Sequence, residues 1–412
     1  MPWAYDSPAW RGLPLASHGL DWVAPPAEFG HAVRKNAAGI VYRDIDRTAD
    51  TLGADGAKYR KLAVSLTEQW AGLNELALSP WRRYPRHPRA AARMGITGLG
   101  SAARYVERFS DDLAPAVFAG CAAHAVIPLE RRRTAAVGHM FLAAAHGSGW
   151  RFPRGGAGRL TAALAAHLRD LGGEIRLGYR VAAWGDLPEH KIVVFGTGPH
   201  AVAQIAGDRL RVRRRRGLKA WRYGPGAFKL DFALAGPIPW LAEGLAAAGT
   251  LHLGGTWKEV ALAEREVAAG RHPARPFVLL AQPSLFDPSR APAGKHTAWA
   301  YCHVPAGSKV DMTESILQQI ERFAPGFRDL VLANHAAGPA QLQATNRNLV
   351  GGDVGGGAYD GRQMLMRPYS GTDPHRISER IYLGSASSSP GGGVHGMGGY
   401  WAARSALKHR LR

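Results

Sequence analysis

The sequence predicts an α/β protein with α+β character, and three neighbouring segments carry that prediction. Leucines at helical spacing from Leu160 to Leu171 predict an amphipathic helix, and Gly172 suits the position just after its end. From Glu174 to Val181 apolar and polar residues alternate, as they do in a half-buried strand. The short apolar run Ile192 to Phe195 predicts a buried strand. A helix followed by two strands indicates part of an α/β sheet domain.

The first 148 residues are predicted to be mostly helical. Apolar positions recur at helical spacing, and prolines interrupt them. The predicted segments are a helix from Leu52 to Leu78, a loop marked by Pro85 and Pro88, a helix from Ser101 to Phe109, and a short helix that follows Asp112.

Residues 149–210 contain the helix and strands described first, and residues 211–375 form a different unit with a mixed or antiparallel sheet. In that unit, strands are predicted at Phe228–Leu234, Phe277–Gln282 and Thr297–Val304, and helices at Glu259–Ala269 and Thr313–Phe323. Residues 376–412 return to α/β character, with a strand at Ile381–Leu383 and a helix over Met397–Leu411.

Composition limits the class of protein. The chain has 412 residues, 46% of them hydrophobic and 20% charged, which is typical of a folded globular protein. It contains no run of eighteen apolar residues and no secretory signal pattern at its start, so we expect a cytoplasmic protein. With Cys121 and Cys302 as the two cysteines, a disulfide framework is excluded.

The formal net charge is +20, which raises the question of an anionic partner. The arginines are spread along the chain, and the densest run, Arg211 to Arg216, has few aromatic neighbours. We therefore do not expect nucleic-acid binding. Peripheral contact with an anionic membrane surface is compatible with this charge, and the sequence leaves the oligomeric state open.

Glycine-rich segments offer candidate cofactor loops. Gly196-Thr197-Gly198 follows a predicted strand, but Pro199 removes an amide that would face a phosphate. The run Gly391–Gly396 also follows a strand, and it precedes a helix whose N-terminal amides can face an anion. This run could form one wall of a cofactor site, or it could simply pack a terminal helix.

Other catalytic chemistries lack a motif. The sequence has neither a G-x-S-x-G nucleophile elbow nor a P-loop, and its histidines lack metal-ligand spacing, so no metal site is predicted. No acid or base is predicted to be catalytic. His395 could cap a helix, brace a loop or face a cofactor, and Asp353 could cap a turn or close a cofactor pocket.

The C-terminal stretch YLGSASSSPGGGVHGMGGYWAARSAL (Tyr382 to Leu407) closely resembles the flavin-contacting signature of phytoene dehydrogenase-like FAD-dependent oxidoreductases. These proteins belong with the carotenoid desaturases in the amine-oxidase-like flavoprotein superfamily. Further stretches resemble the family in the same order, among them SPAWRGLPLASHGLDWV (Ser7 to Val23), GWRFPRGGAGRLTAALAAHLRDLGGEIRLGYRV (Gly149 to Val181) and NLVGGDVGGGA (Asn348 to Ala358).

The resemblance implies an FAD/NAD(P)-binding Rossmann-like flavoprotein fold with an interleaved substrate domain. Residues 149–210 and 376–412 would be segments of the FAD domain, residues 211–375 the substrate domain, and residues 1–148 a helical substrate or lid region. The residues implied to contact FAD are Val181, Gly391, Gly392, Gly393, Val394, His395, Gly396 and Met397.

The resemblance also implies a reaction, namely hydride transfer by a desaturase, isomerase or saturase that acts on a lipophilic, isoprenoid- or carotenoid-like substrate. Family members begin with a strand and a G-x-G-x-x-G turn, whereas this chain starts at the stretch that follows that unit. We therefore expect an FAD-dependent enzyme with a truncated N-terminus. The alternative is a non-catalytic remnant or subunit that does not bind FAD on its own.

Overall fold

The computed structural model describes residues 1–80, 86–364, 366–369 and 373–410. The strands are β1 (Trp22–Val23), β2 (Phe29–Arg34), β3 (Ala37–Val41), β4 (Phe152–Pro153), β5 (Val193–Phe195), β6 (Gly226–Leu234), β7 (Leu251–Leu253), β8 (Val278–Ala281), β9 (His296–Val304), β10 (Val331–Ala337) and β11 (Ile381–Leu383). The helices are α1 (Ile45–Asp50), α2 (Gly56–Thr67), α3 (Trp70–Ala77), α4 (Pro88–Gly98), α5 (Ala102–Val106), α6 (Leu113–Ala123), α7 (Thr134–Gly147), α8 (Gly158–Asp170), α9 (Pro199–Ala206), α10 (Val212–Lys219), α11 (Trp257–Ala268), α12 (Thr313–Phe323), α13 (Phe327–Leu330), α14 (Pro339–Thr345) and α15 (Met397–His409).

The larger sheet has the strand order β10-β6-β9-β8-β7-β2-β3 within the described residues. Its neighbouring strands run antiparallel, except that β2 and β7 are parallel. The mixed or antiparallel sheet predicted for the substrate unit is therefore present. It also includes β2 and β3, which come from the first 148 residues and were not predicted.

One face of this sheet packs against α12. Along β6 the buried residues Phe228, Leu230 and Phe232 alternate with half-exposed neighbours, as the period of a strand requires. These residues form a core cluster with Ile316 and Ile320 of α12. The predictions of strand at 228–234 and of helix at 313–323 are both confirmed.

The opposite face is covered over part of its width by α6 and α11. Glycine permits the closest approach here, because a Cβ built on Gly120 of α6 would lie 2.5 Å from Nδ1 of His31 and 2.6 Å from Nδ1 of His252. The rest of this face, on β6 and β9, is left half-exposed. We call it the open sheet face and define it by Lys229, Asp231, Trp299 and Tyr301.

The second sheet pairs β5 with β11 in parallel, and it has these two strands in the part of the chain that the structure describes. The strand predicted at 174–181 is wrong, since this segment joins no sheet. Leu177 is 85% exposed and Leu171, before it, is 73% exposed. Alternating residues favour a strand, but a strand forms only where a neighbouring strand satisfies its backbone groups.

Two predictions in the helical region also need correction. The helix predicted from Leu52 to Leu78 is divided into α2 and α3. Pro88 was assigned to a loop, but it occupies the first turn of α4, where proline is well tolerated. Pro85 lies outside the described residues. No helix among the described residues is long and apolar enough to cross a membrane.

A cluster of histidines lies between α6 and the larger sheet. Nε2 of His124 is 3.1 Å from Nε2 of His252, and the rings of His31 and His252 are 5.9 Å apart. His303 pairs with the buried carboxylate of Glu264 at 2.7 Å. Nδ1 of His31 and Nδ1 of His252 have no hydrogen-bond partner in the described part of the chain.

Burial keeps the rings of His31, His124 and His252 neutral. It lowers the pKa of His31 to about 4, against the opposing effects of the Gly255 backbone and Glu259. Burial also lowers the pKa of His124 to about 3, and His303 and the amino group of Met1 lower it further. The pKa of His252 lies well below 6.5, because burial and the other two histidines disfavour its charged form.

We expect acidification to destabilise the protein through this cluster. Because the folded-state pKa values lie below those of the unfolded chain, the unfolded chain binds protons first as the pH falls. The free energy of unfolding is then unaffected by this cluster above pH 6.5, and it falls between about pH 6.5 and 4, by on the order of 3 kcal/mol for His31 alone. Urea unfolding at a series of pH values measures this dependence.

The control separates the cluster from histidines at the surface. A double variant, His124→Phe with His252→Phe, removes both partners of one hydrogen bond, so neither ring nitrogen is left unpaired. We expect this variant to lose less stability on acidification, and His335→Gln, at an exposed position, to behave like the wild type. An unchanged pH dependence in the double variant would contradict the assignment.

Candidate functional site

The predicted contact residues from Gly391 to Met397 form the loop that leads into α15. Gly391 and Gly393 have φ angles of 125° and 141°, in a region that side chains disfavour. Gly393, Val394 and Gly396 are exposed, whereas Gly391, His395 and Met397 are buried. We call residues 391–397 the glycine wall.

A second glycine loop packs directly behind the glycine wall. A Cβ built on Gly392 would lie 2.7 Å from the carbonyl oxygen of Gly355, so the two backbones touch. The amide of Gly392 donates a hydrogen bond to the hydroxyl oxygen of Tyr359. The second glycine loop, residues 351–357, therefore supports the glycine wall.

His395 braces this loop from inside. Its Nδ1 accepts a hydrogen bond from the amide of Met397 at 3.1 Å, which caps the first turn of α15. Its carbonyl oxygen accepts a hydrogen bond from the Ser7 hydroxyl. Burial lowers the pKa of His395 to about 4, although the backbone of Gly392 and Gly391 acts in the opposite direction. The sequence left three roles open for His395, and the structure shows two of them: His395 caps α15 and braces the loop before it.

Val181 lies apart from the glycine wall. It follows an extended segment that joins no sheet, and it packs in a cluster with Phe195 of β5 and Val202 of α9. The structure therefore groups seven of the eight predicted residues in one loop and places Val181 beside the smaller sheet. Nothing in the structure assigns Val181 a contact with the other seven.

Sequence reasoning missed the side chains that hold the two glycine loops together. Tyr359 contacts Gly391 and Gly392, and Arg367 donates hydrogen bonds to the carbonyl oxygens of Gly355 in the second glycine loop and of Ala386 ahead of the glycine wall. Asp353 accepts hydrogen bonds from the amides of Gly224 and Gly355, so it caps a turn. No sequence signal marks Tyr359 or Arg367, because each acts across a loop that only the fold brings near.

The exposed side of the glycine wall has the properties of a site for an anionic cofactor. The amides of Gly393, Val394 and Gly396 donate to no acceptor among the described residues. They lie at the N-terminus of α15, a helix of 13 residues, where unpaired amides favour negative charge. Glycine leaves this backbone open to close approach. The residues present therefore fit a bound phosphate-containing cofactor.

The open sheet face carries aromatic and charged side chains. The rings of Trp299 and Tyr301 are stacked, with centroids 6.1 Å apart and planes inclined by 17°. On the adjacent strand, Lys229 forms an ion pair with Asp231, and the register places these residues opposite Tyr301 and Trp299. Within the described ranges, no cluster of histidine, cysteine or carboxylate side chains is placed to hold a metal ion.

Solved structures share this fold over almost the whole chain. A putrescine oxidase variant from a redesign of cofactor binding has a TM-score of 0.59 at 15% identity, over 99% of this chain and 87% of that one. An oxidoreductase from Methanosarcina mazei has a TM-score of 0.59 at 15% identity, over 98% and 85%. Cyclohexylamine oxidase from Brevibacterium oxydans has a TM-score of 0.54 at 14% identity, over 98% and 86%.

The chain shares the fold of these oxidoreductases. At these identities the likeness establishes the fold alone, and it confirms the predicted α/β fold class. The narrower resemblance to phytoene dehydrogenases stays a prediction.

Curated relatives match a shorter part of the chain. Pyridine nucleotide-disulfide oxidoreductase domain-containing protein 2 of Mus musculus is 33% identical over 142 residues, and its counterpart in Rattus norvegicus is 32% identical over the same length. The match covers 31% of this chain and 24% of each relative, so it spans about a quarter of those proteins. No protein-family model matches the chain.

The contact between the two glycine loops can be tested by adding one methyl group. Gly392→Ala places a Cβ against the carbonyl oxygen of Gly355, and we expect the free energy of unfolding to fall by about 1–3 kcal/mol. Gly399→Ala is the matched control, since it lies in α15 with no atom within 4 Å of the added Cβ. Alanine there is expected to be neutral or stabilising. Equal stability of the two variants in urea unfolding would contradict the close contact.

Proposed function

We propose that this chain is an FAD-dependent oxidoreductase whose cofactor lies against the glycine wall. The observation that carries this proposal is the set of free amides of Gly393, Val394 and Gly396 on an exposed backbone at the start of α15. The resemblance of Tyr382 to Leu407 to a flavin-contacting signature supports the same assignment. When bound, FAD would supply the capacity to accept or give up a hydride.

We further propose that the substrate is lipophilic and isoprenoid-like, and that it lies on the open sheet face. Trp299 and Tyr301 offer stacked rings on which an apolar chain can pack. Asp231 is already paired with Lys229, so it does not offer a free carboxylate to an ammonium group. This pairing favours an apolar substrate over the amines named for putrescine oxidase and cyclohexylamine oxidase.

Within this proposal, the protein residues hold and orient rather than transfer protons. The glycine wall fixes one side of the cofactor, and buried, neutral His395 keeps that wall in place from behind. The aromatic pair on the open sheet face orients the substrate and excludes water. The reaction proposed is hydride transfer to or from carbon, as in a desaturase, isomerase or saturase.

A second candidate function is a subunit that does not bind FAD by itself. The observation that favours it is the smaller sheet, in which β5 pairs with β11 alone within the described residues. Val194 of β5 is exposed, as are Leu171, Leu177 and Tyr179 nearby in sequence. Two parallel strands with apolar residues facing solvent form a weak support for a dinucleotide.

Flavin binding distinguishes the two candidates. The purified protein is mixed with excess FAD, free cofactor is removed, and the visible absorption spectrum is recorded. We expect a stoichiometric flavin band for the wild type, and at least tenfold weaker binding for Gly393→Ala, whose Cβ would strain the backbone and lie 2.8 Å from the His395 ring. Gly399→Ala should bind like the wild type. Absence of the band in the wild type would favour the second candidate.

Substrate class is tested on the flavin-loaded protein without oxygen. We expect phytoene in detergent micelles either to bleach the band of the oxidised protein or to restore the band of the reduced protein. Trp299→Ala should raise the phytoene concentration needed, because it removes one of the two stacked rings. Leu332→Ala, an exposed apolar position on β10, is the matched control. A response to putrescine or cyclohexylamine and none to phytoene would contradict the lipophilic assignment.

A further inference from the structure

A buried arginine holds carbonyl oxygens of the second glycine loop and of the segment that leads into the glycine wall. The side chain of Arg367 is 2% exposed. Its Nη2 donates to the carbonyl oxygens of Gly355 at 3.2 Å, Gly357 at 3.4 Å and Ala386 at 3.3 Å. Ala386 lies between β11 and the glycine wall, so a single guanidinium joins the segment behind the wall to the segment that leads into it.

A buried carboxylate accepts hydrogen bonds from backbone amides at the same segment. Asp353, which is 3% exposed, accepts hydrogen bonds from the amide of Gly355 at 2.6 Å and from that of Gly224 at 2.7 Å. The carbonyl oxygen of Gly356 accepts bonds from the Ser387 hydroxyl at 2.6 Å and from Nε1 of Trp221 at 3.2 Å. Side chains therefore pair the amide of Gly355 and the carbonyl oxygens of all three residues 355–357, which belong to no helix or strand.

This arrangement requires a reason, because burying charge is costly. A guanidinium remains charged in proteins, and the acceptors of Arg367 are neutral carbonyl oxygens. Its Nε has no partner in the described part of the chain. The charge also lies 4.3 Å from the ring centroid of Tyr359, whose hydroxyl oxygen accepts the amide of Gly392 in the glycine wall. A fold that needed only stability would be served as well by apolar residues at these positions.

We infer that Arg367 and Asp353 are positioning residues for the cofactor, which fix the glycine wall in its binding conformation before FAD arrives. This inference rests on the proposed function. Neither side chain is exposed to touch a cofactor, so both act through the backbone that they hold. A loop fixed in advance loses little conformational entropy on binding, and its affinity for FAD rises accordingly.

The test compares variants by two readouts, the dissociation constant for FAD and the visible circular dichroism of the bound flavin. We expect Arg367→Met to weaken FAD binding about ten- to one-hundredfold and to change the dichroism, since three carbonyl contacts are lost. Arg367→Lys keeps the positive charge but lacks the several N–H donors of the planar guanidinium, so it should bind FAD more tightly than Arg367→Met and less tightly than the wild type. Asp353→Asn should weaken binding as well.

Gln319→Met is the matched control. Gln319 is also buried, and its Nε2 donates to the carbonyl oxygens of Leu253 and Pro276, far along the chain from the glycine loops. This variant should lose comparable stability and retain wild-type FAD affinity and dichroism. Equal loss of affinity in Gln319→Met and Arg367→Met would overturn the inference, because general destabilisation would then explain both.

A measurement on the unmodified protein does not depend on whether the variants fold. Without FAD, the amide of Gly355, which donates to buried Asp353, should exchange slowly, like the amides of the sheet strands. Fast exchange there would overturn the inference. If the wild type binds FAD and Arg367→Met binds it equally well, the inference about positioning is wrong and the proposed function stands. If the wild type binds no FAD, the proposed function and the inference are both wrong.

Discussion

Buried backbone groups outside helices and strands must still be hydrogen-bonded, and this constraint determines the candidate site. The two glycine loops bring polypeptide backbones into direct contact, which only glycine permits, and they leave amides and carbonyl oxygens without regular partners. Asp353, Tyr359, Arg367 and Ser387 supply those partners from four different places in the chain. The shape of the exposed wall therefore depends on three buried side chains and on the half-buried Tyr359.

The larger sheet divides its second face between two roles. Where α6 and α11 cover it, aromatic rings and neutral histidines form a densely packed interior, and Gly120 lets the helix approach. Beyond these helices Trp299 is half-exposed beside an ion pair, and Tyr301 packs against the edge of the covered interior. The same strands carry both regions, so the rigid packing of the covered half fixes the geometry of the open half.

The smaller sheet is less well covered than the larger one. Its two paired strands are short, and the apolar residues around them remain partly in contact with solvent. The core cluster that joins Phe195, Val202 and Leu383 is nevertheless well buried, so the segment is held by its helices more than by its strands. The residues that pack on the two strands therefore determine which apolar side chains are buried here.

Local patterns in the sequence determined the elements whose residues interact mainly with near neighbours. The periods of α12 and β6 and the glycine-to-helix transition at α15 were visible in advance, because each reflects a repeat along the chain. The tertiary structure alone decided that residues 174–181 form no strand, and it alone placed Arg367 between the second glycine loop and Ala386. A strand requires a neighbouring strand, and the Arg367 guanidinium reaches carbonyl oxygens 10 to 19 residues away. No local pattern records whether such partners are present.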